Sequence, residues 1–444
     1  MSRLSAFASC VAIAILCGPS AVRAADAAPS RVATSMPTTA GGGSAQLILS
    51  KGDRVVIIGD SITEQKLYSR YIEDYLIACQ PQLNLWVYQL GWGGEWAGGF
   101  LQRMDSDLLL LKANVITTCY GMNDGGSKPW DESTGQKYQA DMKALVERAK
   151  AAGMKVVVGS PGAVDTDFFR GPNATPAQYN DVMDHLKAID RQLAAEEGVV
   201  FANVHDPLMS AMSAAKSAMG KEYHVCGGDG VHPQANGHVV MAYAFLKAMG
   251  FDGDLGTIRV DLAGVTTATG GHKVLSSRGG RVEIESTRYP FCFQGDGNEK
   301  SPKSMRSILP YVPFNDDLNR LTLVVSGLES DRAKVTWGAQ TRSFSREQLA
   351  KGINLAGEFL DNPLADAFKK VDEAVAAKQN LETYYIKVVL HELPSKVADQ
   401  KGDAELEAAF ETIQDRLKTR HEKLSQAVRD AVVPVTHTIV IEAE

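Results

Sequence analysis

The stretch Arg54-Val55-Val56-Ile57-Ile58-Gly59-Asp60-Ser61-Ile62-Thr63 decides the fold. Four consecutive β-branched residues make a strand with no polar side to offer water, and Gly-Asp-Ser then turns the chain and opens a helix. A strand apolar on both faces belongs to a parallel sheet covered by helices. The same pattern recurs at 83–89, 114–120, 155–159 and 199–204, each run followed by a loop and then by a segment of helical period such as 140–152. Residues 47–252 are therefore expected to form an α/β domain, a parallel sheet sandwiched by helices. In such open sheets the site lies beyond the carboxyl ends of the strands.

Working outward, residues 1–24 carry Arg3, an apolar run over 6–17 and Val22-Arg23-Ala24, the pattern of an export signal. Residues 25–46, rich in Ala, Ser, Thr and Gly, have nothing to bury and read as a flexible tether. Beyond residue 252 the character changes. A β-rich part is expected over 253–340, with strands at 257–262, 281–285, 321–325 and 333–337. A mainly helical part follows over 341–444, closing with a helix before Pro434 and a last strand at 435–442. The chain of 444 residues is 44% hydrophobic and 22% charged, which excludes disorder, collagen and coiled coil. With 46 basic against 53 acidic residues and no block of like charge, nucleic acid is not an expected partner, and no apolar run is long enough for a membrane span.

The chemistry sits in four loops. Ser61 follows the first strand at a helix N-terminus, where developing negative charge is favoured; a helix cap uses the same residue types. Gly91-Trp92-Gly93-Gly94-Glu95-Trp96 lets the backbone come close to a ligand and aim an N–H at it, or simply turns. Tyr120-Gly121-Met122-Asn123-Asp124-Gly125-Gly126 offers an asparagine amide at a strand end, in what is also ordinary turn chemistry. Gly228-Asp229-Gly230-Val231-His232-Pro233 can set a carboxylate against one imidazole nitrogen and leave the other free as a base. A competing reading makes His224, Cys226, Asp229 and His232 metal ligands, although zinc sites show cleaner paired spacings. After removal of the signal, Cys79, Cys119, Cys226 and Cys292 allow three disulfide pairings, with Cys119 better suited to a buried thiol.

Taken together and in order, Gly59-Asp60-Ser61-Ile62, Gly94, Gly121-Met122-Asn123-Asp124 and Asp229-Gly230-Val231-His232 resemble the blocks of the SGNH hydrolase superfamily, the GDSL-type esterases. The resemblance covers about residues 47–250 and implies a flavodoxin-like sheet. It also implies Ser61 as nucleophile, His232 as general base and acid, Asp229 as its orienting carboxylate, and an oxyanion hole made of the Ser61 and Gly94 N–H groups and the Asn123 side chain. Longer strings, with 313–321 and 352–356, resemble a secreted bacterial subgroup with a C-terminal extension. Glu95-Trp96 departs from the small polar pair common in relatives.

The expected activity is hydrolysis of small acyl esters, O-acetyl foremost, on carbohydrate or another acylated small molecule, through an acyl-serine intermediate. Trp96 and Trp92 are candidate substrate-binding residues, since flat aromatic faces suit sugars. No cofactor or metal is implied. Lipase, lysophospholipase or thioesterase action remains an enzymatic alternative, and a carbohydrate-binding or interaction protein with little catalysis is a third. No Gly-x-Ser-x-Gly elbow, His-Glu-x-x-His or Walker loop occurs.

Overall fold

Five short apolar runs meet in one sheet: β1 (Arg54–Gly59), β2 (Trp86–Gln89), β3 (Val115–Cys119), β4 (Lys155–Gly159) and β5 (Val200–Ala202). All neighbours are parallel, in the order β2-β1-β3-β4-β5. Every residue of β3 is buried, as is every residue of β1 except Arg54, which is why these strands read as unbroken apolar runs. The computed structural model describes residues 46–396 and 402–444; the expected export signal and all but the last residue of the expected tether lie outside them.

Helices flank the sheet. Pro176–Glu197 opens with a capping box between Thr175 and Gln178, has proline in its first turn, ends at left-handed Gly198, and buries Tyr179, Met183, Leu186 and Leu193 on one stripe. It packs on Glu132–Ala151, and Tyr68–Asp74 packs on Ala235–Ala248. The chain leaves β1 for one neighbour, β2, and then crosses to the other, β3. Gly59 pairs with Cys119 and Cys119 with Gly159, so the carboxyl ends of β1, β3 and β4 are level. The crevice at this reversal receives the loops after β1, β2 and β3, the first three of the four loops singled out above.

The C-terminal half adds two more sheets. One, in the order β13-β10-β6-β7, joins β6 (Asp254–Asp261), β7 (Thr267–Ala268), β10 (Arg320–Ser326) and β13 (Ile353–Asn354). The other is antiparallel, in the order β12-β11-β14-β9-β8, from β8 (His272–Arg278), β9 (Arg281–Ser286), β11 (Arg332–Trp337), β12 (Gln340–Ser345) and β14 (Val435–Ala443). Burial alternates along β9, β10 and β11, with Val282, Ile284, Leu321, Leu323, Val335 and Trp337 facing inward. The terminal strand β14 lies between β11 and β9, so the two parts of the extension share one sheet. Among the described residues no helix is long and apolar enough to cross a membrane. Cys79, Cys119, Cys226 and Cys292 are all buried free thiols, and burial pushes each one up, that of Cys292 to about 12.

Helix Ala365–Thr383 of the extension packs against β2 and helix Tyr68–Asp74. Because β2 is an edge strand, its outer backbone groups need partners. Buried Lys378 donates to the Val87 carbonyl (2.6 Å), and Glu382 accepts the Gln89 N–H (3.0 Å). Lys378 also pairs with Glu382 (2.7 Å) and Glu73 (3.1 Å), and Glu382 holds His421 (2.7 Å). Burial pushes the Glu73 carboxyl up to about 7 against the pull of Lys378. Burial also works against the Glu382 charge, but Lys378 and His421 outweigh it and hold this carboxyl low.

Removing the lysine would leave the buried Glu73 and Glu382 carboxylates without the ammonium that bridges them. Lys378→Met should lower the unfolding free energy by about 3–5 kcal/mol, as breaking one side of a buried ion pair does. A carboxyl whose folded pKa is raised favours the fold below its unfolded value and loses that contribution as pH climbs through the folded value. The deficit in urea unfolding should therefore be larger at pH 8 than at pH 5; equal deficits at both would contradict this account of the cluster.

Candidate active site

Ser61 opens a one-turn helix, Ser61–Glu64, capped by Asp60, whose Oδ1 accepts the Ile62 N–H at 2.9 Å. Its Oγ lies 2.8 Å from His232 Nε2, and His232 Nδ1 lies 2.6 Å from Asp229 Oδ2. The other Asp229 oxygen accepts the N–H groups of Val231 and His232, both at 2.9 Å. Partial burial works against the Asp229 charge, but those two N–H bonds and the His232 ring hold its carboxyl below the usual range. In the neutral ring, a hydrogen on Nδ1 donated to the Asp229 carboxylate makes Nε2 the acceptor for the Ser61 hydroxyl hydrogen.

The turn carrying Asp229 and His232 is tightly built. Gly230 N–H bonds the Gly227 carbonyl, and the Gly230 carbonyl is held by Asp165 N–H. Gly227 has φ +86°, and a Cβ placed there would lie 1.8 Å from the His232 carbonyl oxygen.

The loop after β2 lies against the serine helix. A Cβ on Gly93 would stand 3.9 Å from the Ser61 Cβ. Gly93 N–H donates to Glu64 Oε2 (2.6 Å) and Glu95 N–H to the Trp92 carbonyl (3.1 Å). Between them Gly94, at φ +76°, leaves its N–H without a partner among the described residues. Asn123 Nδ2 donates one hydrogen to the Glu95 carbonyl at 2.9 Å, which orients the amide and leaves its second hydrogen uncommitted. Asp124 accepts Ala97 N–H (3.1 Å) and Gly121 N–H (2.9 Å), tying the third loop to the second. Burial pushes Asp124 up to about 6 and Asp60 to about 7.

Glu95, the departure noted in the sequence, points inward. It takes a bidentate bond from buried Arg103 (2.7 and 2.8 Å) and the Tyr120 hydroxyl (2.7 Å). Arg103 also donates to Asp107 (2.6 Å) and the Leu90 carbonyl (2.9 Å). Sequence reasoning missed this supporting layer; its one local signal is Arg103 and Asp107 spaced four apart. The partners supplied by the extension, Lys387 to Glu64 and His391 to Asp107, had no local signal at all.

The tryptophans separate. Trp92 is half-buried, with Arg103 4.9 Å from its ring on one contact and Lys387 5.2 Å on another. Trp86 packs against Arg54 and Arg429, and Trp130 stacks on His185. Trp96 is 46% exposed and borders a cavity of about 310 Å³ lined also by Asn123, Asp124, Lys128, Thr134 and Tyr138. Of His224, Cys226, Asp229 and His232, the last two are bonded to each other. The set of ligating atoms that does converge among the described residues belongs to Asp184, His205 and Asp206, and Lys187 already bonds both of those aspartates.

Gly227→Ala should displace His232 and lower esterase turnover at least tenfold, because neither the φ nor the space admits a side chain. Gly228→Ala, whose nearest neighbour would be 3.7 Å away, should stay within about twofold. Steady-state kinetics on the pair tests this; a parental rate for Gly227→Ala would mean that the turn does not set the imidazole.

Residues 57–240 match the model of the GDSL-like Lipase/Acylhydrolase family. Among curated proteins, an acetylxylan esterase of Geobacillus stearothermophilus is 22% identical over 225 residues, 46% of this chain and 97% of that protein. Among solved structures, BT4096, a gut microbial diltiazem-metabolizing enzyme, is 22% identical with a TM-score of 0.71, over 89% of this chain and 98% of that one. The likeness to BT4096 is one of fold, and it extends well into the C-terminal half. Residues 57–240, which carry the four loops in order on a parallel sheet of the expected kind, form a domain of the GDSL-like lipase/acylhydrolase family, the ester-bond hydrolases of the SGNH superfamily.

Proposed function

We propose that the protein is an exported serine esterase that removes small acyl groups, O-acetyl foremost, from carbohydrate through an acyl-Ser61 intermediate. The observation that carries this reading is the relay from Ser61 Oγ to His232 Nε2 (2.8 Å) and from Nδ1 to Asp229 (2.6 Å). As Ser61 Oγ attacks the ester carbonyl, His232 takes its proton and Asp229 stabilises the resulting imidazolium. The negative oxygen is received by the N–H groups of Ser61 and Gly94 and the free amide hydrogen of Asn123. His232 then protonates the leaving alcohol, activates water for attack on the acyl-enzyme, and returns the proton to Ser61 as the acid leaves.

The alcohol side of the substrate is assigned to the cavity beside Asn123. Its lining of amide, carboxyl, hydroxyl and ammonium groups suits a sugar better than an acyl chain, and exposed Trp96 at its border offers a stacking face. The acetylxylan esterase relative is consistent with an acetylated polysaccharide. Export rests on the pattern of residues 1–24.

Ser61→Ala should abolish acetate release from acetylated xylan without loss of fold, and fluorophosphonate should label Ser61 in the parent; activity within tenfold of the parent would remove Ser61 from the mechanism. Asn123→Ala should cost about a hundredfold in kcat with a smaller change in KM, the usual cost of one oxyanion donor.

Trp96→Ala separates the two substrate sides. Stacking on sugar predicts a higher KM for acetylated polymer with p-nitrophenyl acetate unaffected. A wall on the acyl side predicts instead a shift from acetyl towards butyryl esters.

A further inference from the structure

One segment of the extension, the π-helical turns Tyr384–Glu392, reaches both ends of the loop that presents Gly94. From one side Lys387 Nζ donates to Glu64 Oε1 (2.6 Å), while Glu64 Oε2 accepts the N–H of Gly93 (2.6 Å). From the other side His391 Nε2 meets Asp107 Oδ1 (2.7 Å), whose second oxygen takes Arg103; Arg103 grips Glu95, and the Glu95 carbonyl orients Asn123. Between the two, the Trp92 ring lies 5.2 Å from the Lys387 ammonium and meets His391 edge-on at 5.5 Å.

A loop with three glycines in four positions has much freedom to lose, whereas an oxyanion hole works only if its donors are fixed before charge develops. Without the extension, Glu64 would lose its ion pair with Lys387 and Asp107 its hydrogen bond with His391. We propose that Lys387 and His391 are positioning residues for the oxyanion hole, so that the C-terminal extension completes the active site without touching substrate. This rests on the reading of Gly94 and Asn123 as oxyanion donors.

The test uses the full chain, p-nitrophenyl acetate, and kcat counted per serine titratable by fluorophosphonate, so that misfolded protein is not scored. Lys387→Met and His391→Phe should each lower kcat about tenfold with KM within about twofold, less than loss of a donor because the donors are loosened rather than removed. Lys387→Arg should restore most of the rate. Because Lys387 acts through Glu64, Lys387→Met should add less than about twofold in a Glu64→Gln background. The proposal is overturned if both single variants keep kcat within about twofold of the parent, or if the Lys387 and Glu64 effects multiply in full. Should Ser61→Ala remain active, the site reading falls and this inference with it. Should Ser61→Ala be dead and Asn123→Ala impaired while Lys387→Met and His391→Phe are unaffected, only the positioning role falls.

Discussion

The constraint on which the active-site side of the molecule depends is the burial of one guanidinium. Arg103 is taken out of water beside Glu95 and Asp107, with its plane near the rings of Trp92 and Phe100 and one hydrogen on the Leu90 carbonyl. A charge so placed must be paired and fully hydrogen-bonded, because an unpaired buried ion costs several kcal/mol. Satisfying it fixes the Glu95 side chain, and therefore the backbone of the loop after β2 and the carbonyl that orients Asn123. Such a cluster is a poor source of net stability, since desolvation offsets most of the attraction. Its product here is geometry: the glycine-rich loop beside Ser61 is held in one arrangement.

Strand order explains why these loops meet at all. Only at the reversal between β1 and β3 do a loop from β1, one from β2 and one from β3 lie beside one another. The fourth loop enters from the segment before helix Ala235–Ala248 and is pinned by the bond from Asp165 N–H to the Gly230 carbonyl. The hydroxyl–imidazole contact thus joins residues far apart in sequence, Ser61 and His232, whose mutual placement is set by a sheet rather than by either loop.

What the sequence disclosed follows the same physics. Strands buried on both faces announce themselves: the run 155–159 is β4 residue for residue, and the runs 54–58 and 114–120 differ from β1 and β3 by a residue at one or both ends, because few polar side chains fit there. The strands β8 and β12 carried no such signal. Both are sheet edges, rich in Ser, Arg, Lys, Gln and Thr, and they exist because the tight turns at Gly279-Gly280 and Gly338-Ala339 fold them back on β9 and β11. The candidate residues Ser61, Gly94, Asn123, Asp229 and His232 could be picked out because their residue types are unusual together. Lys387 and His391 could not, since a lysine and a histidine in a helical stretch look like solvated surface until the fold brings them to Glu64 and Asp107.

That asymmetry bears on how the two halves depend on each other. The extension meets β2 through two separate sets of polar side chains: Lys378 and Glu382 cover the strand's outer edge, and Lys387 and His391 reach the loop that leaves its carboxyl end. The edge contacts also reach the serine helix, since Gln89, whose N–H is held by Glu382, donates its side-chain amide to the Thr63 carbonyl at 2.7 Å. An edge strand left bare would invite pairing with another chain, and a glycine loop left bare would wander. A single helical stretch, 365–392, answers both needs, so the contacts that keep the sheet edge covered also bear on the loop and helix that carry Gly94 and Ser61.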